Sequence, residues 1–466
     1  MRLSIESIVV SALVLLVFSA FQTSAYAAVP TDGTKNILLI VADDMGVDGI
    51  SKYAEHNNAP QTVHIDQLAS EGVFFRNAWT HPSCAPARAA LLTGRHSFRT
   101  GVTHQGSYGN LSGDEETIAE VLGASGYLTG AFGKWGVGGQ AQSLPYNQGF
   151  DYFAGSVGNL DGDYYSWTKT LYDGVSVSTI EDHPVYATTD AATEAMNWIE
   201  AKENTSSAPW FAYVAFNAPH APWHIPPAST HSYALSACNG QASKDCYRAA
   251  IQSMDYYIGE IIDKLGPGPN GLDVLKDTLV IFIADNGTPS PQIIEETDST
   301  PFISGHGKNS VYEGGLNVPM VIYGGANLDV DAGVEVTDIL YGMDIFQTLV
   351  VVGNASPASG NTLDSRSLVG YLDETPDPIE RSSVYSEQYN PGQGIDQWAI
   401  SNGTRKYIHF YDGSNVIERC FNLINDPGET RNRWVRQRGG VFNTCANELK
   451  VNRVCLGTPS GCPPTL

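Results

Sequence analysis

The chain has seven cysteines in 466 residues, and one of them stands apart. Cys238 and Cys246 lie close enough in sequence to pair. Cys420, Cys445, Cys455 and Cys462 cluster near the C-terminus and can form two bridges in any of three connectivities. Cys84 is left over. It opens the run Cys84-Ala85-Pro86-Ala87-Arg88-Ala89-Ala90-Leu91-Leu92-Thr93-Gly94-Arg95. Pro86 suits the first turn of a helix. Cys84 is therefore expected at a helix N-terminus, where free N–H groups favour an attacking oxyanion and a bound anion alike. Arg88, one turn on, is placed to reach back toward it. Asp43 and Asp44, with Asp285 and Asn286, offer hard oxygen donors. An oxygen-only set suits calcium or magnesium, not zinc.

Two apolar runs must position those oxygens. Asn36 to Ala42 and Thr278 to Ala284 read as parallel strands covered on both faces. The first ends at Asp43-Asp44-Met45-Gly46 and the second at Asp285-Asn286-Gly287. Open α/β sheets place ligands beyond such carboxyl ends. Acids at one strand end are usually solvated loops; two matching ends argue for a site. Helices are expected over Glu115–Leu122 with Asp114 as N-cap, over Ala191–Lys202, and over Tyr247–Leu265. Alternating strands and helices predict a doubly wound α/β fold. Residues Gly370 to Arg381 read as a linker. Beyond it, Trp398–Ser401 and Lys406–Tyr411 read as short strands around an Asn402-Gly403 turn.

The composition fits a globular chain, with 42% hydrophobic and 10% aromatic residues. Arg2, an apolar run from Ile8 to Phe21 and the small residues Ala25 and Ala27 read as a secretory signal over residues 1–27. The run is shorter than the ~20 residues of a spanning helix, so cleavage is expected and stable membrane insertion is not. Secretion or periplasmic export would supply an oxidising compartment for the bridges. The formal charge is −24, and loss of Arg2 together with Glu6 leaves it unchanged. Such acidity argues against nucleic acid and anionic membranes as partners. It also requires positive charge to be concentrated wherever an anion binds.

The run from Cys84 to Arg95 resembles the type I sulfatase signature, in which a cysteine heads C-x-P-x-R and L-L-T-G-R follows. Four further segments follow in family order. Gly133-Lys134-Trp135-Gly136 resembles G-K-W-H-x-G. Asn217-Ala218-Pro219-His220-Ala221-Pro222 resembles P-H-x-P. Gly307-Lys308 with Glu313-Gly314-Gly315 resembles G-K-x-x-x-x-E-G-G. Leu423 to Glu429 is similar to L-x-D-P-x-E. The resemblance implies an alkaline-phosphatase-like large, mostly parallel sheet flanked by helices, with a smaller C-terminal subdomain carrying a short antiparallel sheet. Residues 28–375 would be catalytic and 376–466 the subdomain.

It further implies that a formylglycine-generating enzyme oxidises Cys84 to formylglycine, whose hydrate attacks a sulfate ester. One divalent cation, Ca2+ by family preference, would be held by Asp43, Asp44, Asp285, Asn286 and residue 84. Lys134, His220 and Lys308 match the residues that contact substrate, and Arg88 would steady the hydrate. Asn159 falls near a further polar position.

Gly136 departs from the family, which has a histidine there that contacts the nucleophile. His306, two residues before Lys308, is the candidate replacement, or else a plain loop residue. Ala87 and Asn317 are lesser departures, where serine and arginine are frequent. The expected substrate is a sulfated small molecule or carbohydrate. Tyr164, Tyr165, Trp167 and Trp223 are candidates for shaping its subsite. Two other readings stand beside this one: a formylglycine-dependent phosphonate or phosphodiester hydrolase, and a low-activity relative that binds sulfated glycans.

Overall fold

The computed structural model describes residues 29–55, 58–106, 109–160, 162–238, 243–290, 302–372, 381–390, 395–411 and 413–432. The expected leader 1–27, most of the expected linker, and Cys445, Cys455 and Cys462 lie outside the described residues.

Ten strands form the large sheet: β1 (Asn36–Ala42), β2 (Val73–Trp79), β3 (Leu128–Lys134), β4 (Tyr152–Ser156), β5 (Trp167–Tyr172), β6 (Val177–His183), β7 (Trp210–Ala215), β8 (Thr278–Ala284), β9 (Asn317–Gly324) and β10 (Val334–Tyr341). Their order is β10-β2-β9-β8-β1-β7-β3-β4-β5-β6. The central strands β8, β1, β7, β3 and β4 are mutually parallel. β1 and β8 are buried along their whole lengths, as their uninterrupted apolar runs require. Strand β9 runs antiparallel to both β8 and β2 on one side, and the β5–β6 hairpin closes the other edge.

Helices cover the faces. Ala187–Thr205 and Lys244–Leu265 pack against each other. Both start before the expected windows: the first turn of Ala187–Thr205 is buried but carries the polar Thr188 and Asp190, and that of Lys244–Leu265 opens on the polar Lys244 and Asp245, so neither shows the apolar spacing that marks a buried stripe. The third expected helix starts later, at Ile118. Its N-cap is Thr117, not Asp114. Thr117 accepts from the Glu120 N–H at 3.3 Å, and the Thr117 N–H donates to Glu120 Oε2 at 2.7 Å. That reciprocal pair satisfies two free helix donors, which Asp114 cannot match.

A second sheet has four antiparallel strands: β11 (Val384–Asn390), β12 (Ile395–Ser401), β13 (Arg405–Tyr411) and β14 (Val416–Asn422). The Asn402-Gly403 turn falls as expected, with Gly403 at φ +79°. This sheet packs on the large one through an apolar cluster that joins Trp79 and Leu316 to Ala399, Ile408 and Phe421. The ends of the expected linker are tied down: Val369–Tyr371 forms a short 3₁₀ turn, and Arg381 pairs with Asp344.

One ion cluster pins the two sheets. Lys406, fully buried on β13, lies 2.9 Å from Glu313 and 3.1 Å from Glu429, with its ammonium 4.7 Å from the Trp79 ring centroid. Lys406→Met would leave two carboxylates facing each other without a counter-charge. A loss of about 3–5 kcal/mol is expected by denaturant unfolding. Burial, and then the nearby Glu313, push the Glu429 carboxyl up to about 7 against the pull of Lys406. The folded state thus holds this proton more tightly than the unfolded chain. Its contribution to stability is full below the ordinary carboxylate range and declines as pH rises toward 7. Glu429→Gln should flatten that decline in a series of melts between pH 4.5 and 7.5.

Candidate active site

Parallel pairing puts the acidic strand ends side by side. Ala42 faces Ala284 in the β1–β8 register, so Asp43-Asp44 and Asp285-Asn286 emerge together. On the other side of β1, β7 leads into the loop carrying His220, and β3 ends at Lys134. The helix Cys84–Thr93 is buried throughout and begins at residue 84 itself. Four strand ends thus converge on one edge of the sheet, because parallel strands share their carboxyl ends, and the N-terminus of this helix meets them there.

The resulting site is dense with charge. The Cys84 thiol lies 3.3 Å from Asp43 Oδ1 and 3.6 Å from Asp44 Oδ1. Lys134 Nζ pairs with Asp43 at 2.5 Å, and Lys308 Nζ with Asp44 at 2.6 Å. Arg88 Nε donates to Asp285 Oδ2 at 2.8 Å, Nη1 donates to the Lys134 carbonyl at 2.8 Å, and Nη2 lies 3.8 Å from Asp43. Asp285 Oδ1 accepts from the Asp44 N–H at 3.1 Å. His220 Nε2 is 3.6 Å from Asp44 Oδ2. Ligand atoms of Asp43, Asp44, Cys84 and His220 all fall within 4.8 Å of one another.

The site's electrostatics follow from burial set against this pairing. Burial alone would raise the Asp43 carboxyl, but Lys134, His220, Arg88 and Lys308 together hold it well below the usual range. Asp285 goes the other way: burial and then repulsion from Asp43 lift it to about 6, despite Arg88. Burial, and then Asp43, push the Cys84 thiol far above its ordinary value. As a plain thiol, residue 84 keeps its proton at neutral pH and is a weak nucleophile. Burial lowers the Lys308 ammonium, and Asp44 more than reverses that, so the lysine stays charged. His220 is lowered by burial, against the opposing pull of Asp44.

The donor set suits a hard divalent cation. Asp43, Asp44 and Asp285 supply carboxylate oxygens, and the buried Asn286 Oδ1 has no hydrogen-bond partner while its amide nitrogen donates to Asp44 Oδ1 at 2.8 Å. An orphaned oxygen beside three carboxylates is a ready ligand for Ca2+ or Mg2+.

Not every expected residue arrives. His306 does not reach the nucleophile: its ring stacks on Tyr312 with centroids 3.5 Å apart, turned toward Arg419 and Lys406 of the C-terminal sheet. The second residue of the Gly307-Lys308 pair turns inward, whereas position 306 packs outward. Position 136 carries no base either. Gly136 sits at φ +79°, and a Cβ there would lie 3.0 Å from Arg88 Cδ and 3.3 Å from Lys134 Cε. The aromatic candidates mostly pack. Tyr164, Trp167 and Trp223 are buried. Tyr164 Oη lies 2.7 Å from the carbonyls of both Asn217 and His220, and so buttresses the His220 loop from behind.

Sequence reasoning missed Gln105. Its amide donates to Cys84 Sγ at 3.8 Å, and it lines a cavity of about 260 Å³ with Cys84, Asn110, Lys134 and Asn159. It sits in a loop with no motif around it, so nothing in the chain marked it. The sequence also foresaw the Cys238–Cys246 bridge, which is present. Cys420 is likewise disulfide-bonded, and Cys84 is free and buried.

A buried charged site at the carboxyl edge of a mixed, centrally parallel sheet is where open α/β folds bind their ligands. The chain belongs to the Sulfatase family, whose description matches residues 35–351, and is thus a sulfuric ester hydrolase of the type I class. It is 29% identical over 440 residues to the N-acetylgalactosamine-6-sulfatase of Homo sapiens, covering 84% of this chain and 80% of that one. It is 31% identical over 375 residues to the arylsulfatase G of Mus musculus, covering 72% and 68%. Among solved structures, Ps i-CgsB in complex with k-i-k-neocarrahexaose shares the fold with a TM-score of 0.72, 24% identity and coverage of 90% and 91%. The phosphonate monoester hydrolase of Agrobacterium radiobacter shares it with a TM-score of 0.65, 21% identity and coverage of 91% and 95%.

Because Gly136 combines a left-handed backbone with a tight approach to Arg88, Gly136→Ala is expected to cost about 1–2 kcal/mol in a thermal or denaturant melt. Gly158→Ala should be near neutral, since a Cβ there meets nothing within 4 Å.

Proposed function

We propose that this sulfatase is an exported enzyme that cleaves sulfate esters of carbohydrates, after Cys84 has been converted to formylglycine. The single observation behind the mechanism is position 84: a buried helix N-terminus 3.3 Å from Asp43, ringed by Lys134, Lys308 and His220. The carbohydrate assignment draws on the relative named N-acetylgalactosamine-6-sulfatase. The export reading rests on the leader-like residues 1–27 and on the Cys238–Cys246 bridge. A formylglycine-generating enzyme would be its maturation partner.

The net reaction takes a sulfate ester and water to an alcohol and sulfate. A hydrated aldehyde at position 84 would supply the attacking hydroxyl, and one Ca2+ held by Asp43, Asp44, residue 84, Asp285 and Asn286 would polarise the sulfate oxygens and ease loss of the hydroxyl proton. Lys134 and Lys308, each already beside the nucleophile's carboxylate neighbours, present cationic N–H donors to the sulfuryl oxygens. Arg88 fixes Asp285 and the end of β3, and so holds Lys134 in place. His220 Nε2 faces the reacting group and can hand a proton to the departing alcohol. Gln105 offers a neutral donor at the nucleophile. An unmodified serine would be inadequate, because its sulfate would be another stable ester, whereas a gem-diol ester expels sulfate as the carbonyl reforms.

Mass measurement of the tryptic peptide bearing position 84 from active enzyme should find the aldehyde or its hydrate. An unmodified thiol in active enzyme would sink this reading. Cys84→Ser is expected to cut kcat for aryl sulfate hydrolysis by about 10³-fold or more. Exhaustive chelation should abolish turnover, with Ca2+ restoring it, and apo-protein should melt at lower temperature.

Gly136 favours a second reading, a sulfated-glycan binder with little turnover. Tight binding of sulfated sugar by the converted protein without sulfate release would identify it. The fold shared with a phosphonate hydrolase is tested by the ratio of kcat/KM on aryl sulfate and aryl phosphonate, expected to favour sulfate.

A further inference from the structure

A second cavity, of about 650 Å³, opens beside the nucleophile. Gln105 lines both it and the smaller cavity containing Cys84. Asn309, next after Lys308, lines it as well, anchored by its N–H to the Pro82 carbonyl at 2.7 Å. The two spaces therefore share a wall at the reacting group.

The far wall is one face of the C-terminal sheet. Gln388, Gln397, Phe410 and Ile417 stand opposite one another across all four strands, so their side chains form one row. Ile408 and Arg419 pair on the same face two residues along. The amides are wired to the active-site loops. Gln388 Nε2 donates to His104 Nδ1 at 3.2 Å and to Asn309 Oδ1 at 3.3 Å. Gln397 Nε2 donates to the Asn309 carbonyl at 2.7 Å and to Gln388 Oε1 at 2.8 Å. Fixed amides beside the Phe410 ring suit a sugar ring with hydroxyls at its rim and C–H groups on its faces.

Charge narrows the occupant. The chain has 50 Asp and Glu residues, yet none is found among the described residues lining this cavity. Its one formal cation there is Arg419. Among the described residues Arg419 forms no ion pair; its Nη1 donates to the Tyr312 hydroxyl, and its guanidinium lies 5.6 Å from that ring's centroid. An arginine held in orientation without a carboxylate, in a chain of charge −24, is a recognition point for an anion.

We infer that this cavity is a subsite for the sugar ring adjoining the sulfated one, and that Arg419 selects a neighbour bearing its own acidic group, a carboxylate or a further sulfate. The inference rests on the carbohydrate reading above and adds a specificity determinant to it. The C-terminal sheet is thereby a wall of the substrate site as well as a packing unit.

The test compares full-length mature enzyme on three sulfated disaccharides whose second ring is neutral, carboxylated or sulfated. The kcat/KM ratio of acidic to neutral substrate should exceed one, with the difference carried by KM. Arg419→Gln should lower that ratio about tenfold. Because Arg419 also orders Tyr312, a second variant is needed. Ile417→Glu, at a residue 38% exposed on the outer strand, should lower the ratio in the same direction without disturbing the core. Whichever acid shows the larger ratio identifies the anion. An unchanged ratio in both variants overturns the inference. If no ester at all releases sulfate, including an aryl sulfate, the catalytic reading falls instead. The cavity is then read by calorimetry on Cys84→Ala, where equal affinity for acidic and neutral disaccharides overturns the inference by itself.

Discussion

The structure depends on one constraint: three acidic and three basic side chains are packed together at the carboxyl edge of a parallel sheet. Asp43, Asp44 and Asp285 face Lys134, Lys308 and Arg88, and no member would be tolerable there alone. Arg88 is fully buried and sits between two acids, which is a structural task before it is a chemical one. The same balance leaves Asp43 charged and lifts Asp285, so the carboxylates are unequal before any substrate arrives. A site built this way is preorganised: its dipoles and charges are fixed by the fold and need not reorganise when an anion enters.

That constraint explains the surrounding architecture. The helix Cys84–Thr93 has to be buried from end to end, because its first residue must meet acids that hang from the middle of the sheet. Its small residues let it lie close. Gly136, at φ +79°, lets the Arg88 and Lys134 side chains close in on the backbone, where a Cβ would have to push them back by a few tenths of an ångström. Tyr164 holds the His220 loop from behind with its hydroxyl, which is why an aromatic that looked like a sugar platform is a buried strut.

The C-terminal sheet extends the same logic outward. Lys406 fastens it through Glu313 and Glu429, near the loop that carries Lys308. Gln388 and Gln397 then bond to Asn309, so the sheet, the Lys308 loop and the His104 loop form one hydrogen-bonded wall. In an acidic protein this wall is free of carboxylates among its described residues, which sets it apart from a surface that repels anions.

By itself the sequence determined the local pieces. The bounds of β1 and β8 were legible because a strand buried on both faces must be continuously apolar, and the oxygen donors simply follow such runs. Cys84, Arg88, Lys134, His220 and Lys308 were legible because prolines and glycines fix the backbone around them, and those residues leave a recognisable spacing. Only the tertiary structure decided which of the flanking polar residues face inward. His306 is two residues from Lys308 yet stacks on Tyr312, while Gln105, with no motif at all, reaches Cys84. The row Gln388, Gln397, Phe410 and Ile417 is likewise invisible along the chain, since it exists only through cross-strand register. The reason is physical: backbone geometry is written in short-range residue types, whereas the direction of a loop side chain is set by what packs against it from distant strands.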